Sequence, residues 1–263
     1  MIVSREIVDG SGGNGAAGRS EPERGDEVPD FSLVNQDGRR INLHQYRGRT
    51  LILTFIYTRC PLPDYCPLMT EHFTRISEGL KQDPELYKQT HMLSISVDPE
   101  YDTPKVMRAY AESNGQRSFD HWEFATGLAE EVRRAADYFG LEYYPESDQI
   151  IHSLRTALIA PDGKLLKIYR GNEWKPAELL TDLRTMNAPT QVIRGVGVVE
   201  SIDRQMGTVQ INHEDIKDFM PAHSMPFPVK DRALLDAAGP GDRIEFTFEA
   251  NSEGMIVIEI KKL

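Results

Sequence analysis

The stretch Phe55-Ile-Tyr-Thr-Arg-Cys60-Pro-Leu-Pro-Asp-Tyr-Cys66-Pro-Leu-Met69 holds both cysteines of the chain, and its reading decides the fold of everything before residue 190. Upstream, Leu51 to Tyr57 is a nearly unbroken aliphatic and aromatic run, the pattern of a strand buried on both faces. Downstream, Cys66-Pro67 reads as a helix start: proline suits the first helical position, and Leu68, Phe73, Ile76 and Leu80 follow at helical spacing. Both thiols are thus expected between the end of a core strand and a helix N-terminus, where N–H groups and the macrodipole favour thiolate. Such a pair can cycle between dithiol and disulfide or hold a soft metal ion. Two buried structural cysteines are the alternative, but Pro61, Pro63 and Pro67 stiffen an exposed loop rather than bury it.

Outward from this stretch, Pro29 to Gly38 reads as a short strand and turn with Ile41–Leu43 as its partner, and His91 to Val97 as a second buried strand. Asp102 or Thr103 should cap a helix that has Pro104 near its start and runs to about Ser113. Trp122–Ala125 reads as a brief strand, Leu128–Phe139 as an amphipathic helix ended by Gly140. A hairpin follows, Leu154–Ala160 and Lys164–Tyr169 about the turn Pro161-Asp-Gly163, and then a last helix over Pro176–Met186. Strands alternating with helices and closed by an antiparallel hairpin predict a three-layer α/β domain with a thioredoxin-like order.

A chain of 263 residues can bury one large or two ordinary cores. With 41 Asp and Glu against 30 Lys and Arg and no basic block, nucleic acid and anionic membrane surfaces are poor partners. No run of about eighteen apolar residues is present, so no membrane span is expected in this chain, and residues 1 to 30 carry no apolar leader core. Residues 1–25, rich in glycine and then in Glu and Arg, read as a flexible segment.

Three motifs in order, Thr58-Arg-Cys-Pro…Cys-Pro, then Ser96-Val-Asp-Pro-Glu-Tyr-Asp-Thr-Pro104, then Ile151-His-Ser…Ile159-Ala-Pro-Asp-Gly163, resemble the Sco/SenC copper-chaperone family. The resemblance implies a thioredoxin-like domain over residues 26–187 in which Cys60, Cys66 and His152 bind one copper ion. Two positions depart from the family pattern. Five residues separate the cysteines where the family usually has three, and Ile151 stands where an acidic residue is common. Asp98 ends the second buried strand and is a candidate for holding the site from behind.

After a linker at 188–194 the pattern becomes all-β: Gly195–Ile202, the turn Asp203–Gly207, Thr208–Asn212, Arg243–Glu249 and Met255–Ile260, with Gly239–Asp242 as a turn. Short strands at this spacing predict a small five-stranded, OB-like barrel over 195–263. Between them His213, Met220, His223 and Met225 supply imidazole and thioether donors, a set that suits copper or silver and suits calcium or magnesium poorly. His223 and Met225 share parity, so on a strand they face one side. Ordinary core packing by methionine is the alternative. The segment with its following Met-Pro-Phe-Pro-Val resembles the CusF-like periplasmic copper- and silver-binding domain. That family pairs one histidine with Met-x-Met under a tryptophan cap. By this resemblance His213 takes the histidine position and Met225 the second methionine, His223 replaces the first, and Met220 stands at the tryptophan position beside Phe219.

Together the resemblances imply a copper-binding metallochaperone outside the cytoplasm. It would carry Cu(I), with Cu(II) as a second state, to the CuA centre of a haem–copper oxidase or to another copper protein. A thiol–disulfide oxidoreductase using Cys60 and Cys66 on oxidase or other extracytoplasmic cysteines is the alternative from another class. A peroxiredoxin-like peroxidase is the third, for which Thr58-Arg59-Cys60 offers only a partial approach sequence.

Overall fold

The computed structural model describes residues 21–146, 149–187, 190–251 and 254–263, in two compact units that divide between Trp174 and Lys175. Most of the segment expected to be flexible, residues 1–20, lies outside the described residues. Its last five are held: Glu21 pairs with Arg170 at 2.6 Å, and Gly25 N–H donates to the Leu165 carbonyl at 2.8 Å.

The first unit is built on β3 (Thr50–Ile56) and β4 (Thr90–Ser96), which run parallel with Leu53 opposite Leu93. Every residue of both strands is buried, as a sheet covered on both faces requires. Seven strands line up in the order β2-β1-β5-β4-β3-β8-β9. Here β1 is Ser32–Asn35, β2 Arg40–Asn42, β5 Trp122–Thr126, β8 Arg155–Ile159 and β9 Leu165–Arg170. Only β3, β4 and β5 pair in parallel; β1, β2, β8 and β9 join antiparallel. Between β3 and β4 the chain makes α1 (Cys66–Lys81), with Pro67 in its first turn and Met69, Phe73, Ile76 and Leu80 buried along one face. At about 1.5–3 kcal/mol for each large apolar side chain, that face holds α1 in place. A short α2 (Pro84–Gln89), capped by Asp83, was not apparent from periodicity because it is less than two turns long. α3 (Pro104–Ser113) and α4 (Ala129–Tyr138) fall where the caps and periodicity put them. Gly140, at φ 65°, supplies the left-handed residue that ends α4.

One addition to the expected order matters for the site. Tyr143–Glu146 (β6) and Gln149–His152 (β7) pair as a separate two-stranded sheet, with Tyr143 opposite His152. His152 is therefore the last residue of a hairpin.

At the opposite end of β4, Glu123 on β5 is surrounded by donors: Asn35 Nδ2 at 2.6 Å, Tyr46 Oη at 2.6 Å and His91 Nε2 at 3.0 Å. Burial would raise its pKa, but these hydrogen bonds, that of His91 foremost, hold it at about 2. His91 is itself pulled below the ordinary imidazole value, chiefly by burial. Both groups bind protons less readily folded than unfolded, so both withdraw stability as pH falls. The loss from His91 begins below about pH 6.5, and that from Glu123 spans about pH 4.5 to 2. The urea midpoint is accordingly expected to fall with pH over that range. Glu123→Gln, which aims an amide N–H at a ring of donors, should lower stability at neutral pH by about 3 kcal/mol and flatten the acid limb. A midpoint constant between pH 7 and 3 would contradict this account.

After the division come α5 (Pro176–Met186), which buries Leu179, Leu180 and Leu183, and a five-stranded antiparallel sheet of order β12-β11-β10-β13-β14. Its strands are β10 (Gln191–Asp203), β11 (Thr208–His213), β12 (His223–Pro228), β13 (Arg243–Asn251) and β14 (Gly254–Lys262). β10 begins inside the span expected as linker; residues 188 and 189 of that linker lie outside the described residues. The strand number agrees with expectation, but the barrel does not close. Among the described residues β12 and β14 share no ladder, and an isolated parallel bridge between Val229 and Val257 stands where a closing ladder would be. The reason lies in β12, where Pro226 and Pro228 have no N–H to offer a further strand. The sheet curls over a core of Val199, Ile211, Phe227, Phe246, Phe248 and Val257.

Candidate metal centres

Tyr57 and Thr58 carry the chain off the end of β3, and the turn is fixed from the β4–α3 connection. Asp102, fully buried, accepts from Thr58 N–H at 3.0 Å, from the Thr58 hydroxyl and from the Ser96 hydroxyl at 2.5 Å. Arg59 then pairs with Asp98 at 2.7 Å and lies 4.6 Å over the Tyr101 ring. Asp98 therefore ties down the cysteine loop through Arg59. Sequence reasoning offered Asp102 and Thr103 as alternative caps of α3. Thr103 takes that role, accepting from Val106 N–H at 3.4 Å, and Asp102 turns inward to the cysteine loop. Two capping residues in a row, of which a helix needs one, was the signal that the other had different work.

Cys66 opens α1 and is buried, whereas Cys60 sits half-exposed on the loop; both are free thiols. His152 arrives from the β6–β7 hairpin with Nε2 3.2 Å from the Cys66 sulfur. Its Nδ1 lies 2.8 Å from the Ser153 carbonyl. A carbonyl only accepts, so Nδ1 carries the proton and the Nε2 lone pair faces the sulfur. The ring is set edge-on between Tyr57 at 5.7 Å and Tyr65 at 6.3 Å. Tyr65 belongs to the longer loop between the cysteines, and that loop is anchored where Asn172 Nδ2 donates to the Asp64 carbonyl at 2.9 Å. The extra residues thus supply a wall for the histidine.

The two thiols titrate as one unit. A hydrogen bond from Cys66 lowers the Cys60 pKa to about 3 against the cost of burial. Cys66 is pushed the other way, by that same bond to Cys60, by burial and by the Cys60 charge. Cys60 ionises first, and Cys66 keeps its proton. The donors are neighbours, yet among the described residues no three His, Cys, Asp or Glu side chains are already drawn in to hold an ion.

In the second unit the last residue of β11 and the first of β12 are His213 and His223, directly opposite in the register, with ring centroids 4.6 Å apart. Each is fixed as His152 is: His213 Nδ1 lies 2.8 Å from the Glu214 carbonyl and His223 Nδ1 2.9 Å from the Pro221 carbonyl. Both protons sit on Nδ1, so each Nε2 carries its lone pair. Among the described residues the buried His213 Nε2 has no hydrogen-bond partner, a cost a structural histidine would avoid and a metal ligand would not incur. Met225, opposite Ile211, shares the His223 face of β12. Met220 reaches the same core from a loop turned at Asp218, whose φ is 60°, and closed by paired bonds between Ile216 and Met220. Phe219 packs on Phe248, with ring centroids 5.5 Å apart. Close approach of β10 to this edge depends on Gly197, opposite His213. A Cβ there would stand 2.7 Å from the Asn212 carbonyl oxygen and 2.8 Å from His213 Cα.

The sequence model of the SCO1/SenC family matches residues 19–188, and that of the copper binding periplasmic protein CusF matches residues 192–262. The SCO1 protein homolog of Bacillus subtilis (strain 168) is 36% identical over 164 residues, covering 60% of this chain and 82% of that protein. The copper-bound crystal structure of Arabidopsis thaliana ScoI superposes with a TM-score of 0.52 at 26% identity, over 59% of this chain and 94% of that one. BsSco, described as a member of the Sco family of cytochrome c oxidase assembly proteins with a disulfide switch, superposes with a TM-score of 0.53 at 33% identity, over 63% and 96%. These likenesses bear out the thioredoxin-like expectation for the first unit.

Proposed function

The chain belongs to the SCO1/SenC family and carries a CusF-like domain, and from that premise we propose that it is an extracytoplasmic copper-handling protein with one site in each unit. In the first unit Cys60, Cys66 and His152 are the ligands, taking Cu(I) through two thiolates and an imidazole. In the second, His213, His223, Met220 and Met225 are the donors. The observation that carries this reading is shared by all three histidines: each gives its Nδ1 proton to a backbone carbonyl, which leaves the Nε2 lone pair to face a donor or an ion. That is how a ligating imidazole is held in a fixed tautomer.

The recipient in this reading is the dinuclear copper centre of a haem–copper oxidase. Support comes from BsSco, described as a member of a family of cytochrome c oxidase assembly proteins, and the likeness to the periplasmic CusF protein supports the location. Among the described residues no helix is long and apolar enough to cross a membrane. The residues divide the work chemically. Cys60, half-exposed and readily ionised, meets the incoming ion, whereas Cys66 releases its proton as it binds. The Ser153 carbonyl and two tyrosine rings keep His152 aimed at the sulfur.

A specific observation also favours a second reading, thiol–disulfide exchange. An accessible low-pKa thiolate beside a buried thiol is the arrangement of an attacking and a resolving cysteine. Anaerobic titration of the reduced chain with Cu(I) against a competing chelator separates the two. About two ions per chain are expected from the two donor sets. Copper bound only through the second unit would leave the first to redox work.

A further inference from the structure

Tyr57 follows β3 directly and is 1% exposed. Its N–H donates to the Cys66 sulfur at 3.4 Å, and its ring meets His152 edge-on. The hydroxyl is buried, and among the described residues no partner meets it with full hydrogen-bond geometry. The Cys60 sulfur and the Ile150 backbone are its nearest polar groups and interact with it only weakly; its pKa is raised by burial first and then by Cys60. A buried hydroxyl without a partner is destabilising, and phenylalanine would fill the same volume without that cost. Packing therefore accounts for the ring but not for the oxygen.

We propose that Tyr57 is a positioning residue of the copper centre, whose O–H donates to the Cys60 sulfur when that sulfur is a metal-bound thiolate. The proposal rests on the reading that Cys60, Cys66 and His152 hold copper in the first unit. A ligating thiolate keeps lone pairs that accept, and hydrogen bonds to a charged acceptor are the strong ones. Such a bond draws electron density off the sulfur. It stabilises the more electron-rich Cu(I) form over Cu(II), and it moves the sulfur-to-Cu(II) charge transfer to higher energy. The buried hydroxyl is in this way matched to a specific state of the site.

The test compares the full chain with Tyr57→Phe, loaded separately with Cu(I) and with Cu(II). The thiolate-to-copper band reports the first unit alone, because the donors of the second are imidazole and thioether. In Tyr57→Phe this band is expected at longer wavelength, with the affinity for Cu(I) relative to Cu(II) lowered about tenfold. The metal-free variant should melt at the same or a higher temperature, since it loses an unpaired buried hydroxyl. An unmoved band with an unchanged affinity ratio overturns the proposal while the ligand set stands, as does a shift to shorter wavelength. A metal-free variant that melts lower also overturns it, by showing that the hydroxyl is already partnered within the protein. If the unaltered chain shows no thiolate-to-copper band at all, the ligand reading itself is lost and the proposal with it.

Discussion

Cys66→Ser is expected to remove tight Cu(I) binding from the first unit, by more than the roughly 100-fold that losing an outer-shell partner costs a metal site. The serine hydroxyl does not ionise near neutral pH and is a hard oxygen donor, so the site loses both a charge and its soft character. Cys60→Ser should cost a similar amount through the same loss of thiolate. The two variants are expected to differ in their metal-free behaviour. Cys66 is buried, receives the Tyr57 N–H at 3.4 Å and faces His152 Nε2 at 3.2 Å, so its replacement disturbs packing. Cys60 is half-exposed on the loop, so Cys60→Ser should leave the melting temperature nearly unchanged. His152→Ala keeps both thiolates, and the expected result is a weaker Cu(I) site with an altered Cu(II) spectrum. Competition titration of the three variants reads all of this. Unchanged affinity in both serine variants would remove the copper role of this unit and leave thiol–disulfide exchange.

How much of this was legible beforehand depended on whether the cause lay close in the chain. The run Leu51–Tyr57 and the Cys66-Pro67 helix start are local signals, and β3 and α1 appear where they put them. The hairpin that brings His152 was not foreseen. Tyr143–Glu146 and Gln149–His152 are short, mostly half-exposed or exposed, and contain a proline, so neither run alternates in hydrophobicity as a half-buried strand does. Asp102 and Asn172 act on Thr58 and Asp64 across 44 and 108 residues, and no spacing rule reaches that far. The barrel expectation failed at its closure for a reason present in the sequence. Pro226 and Pro228, both within the Met-Pro-Phe-Pro-Val motif, also make that strand an edge without outward donors.

The second unit allows a prediction that separates ligation from packing by proton count. With Nδ1 of His213 and of His223 committed to backbone carbonyls, acid adds its proton at Nε2, the atom that would bind the ion. Thioethers have no proton to compete with. In a Cys60→Ser/Cys66→Ser background, Cu(I) affinity is expected to fall in acid, because proton and ion compete for the same Nε2 atoms. The limiting slope of log affinity against pH should approach about two when both imidazoles ligate. His223→Met replaces one of them with a thioether on the face it shares with Met225, and the slope should drop to about one. His213→Ala should do more damage, because His213 is the buried member of the pair and its unpartnered Nε2 has no other purpose in the fold. A slope near zero in the parent chain, with affinity intact, would mean that the thioethers alone hold the ion. No Cu(I) or Ag(I) binding at any pH, with the sheet folded, would reduce His213, His223, Met220 and Met225 to core and edge packing.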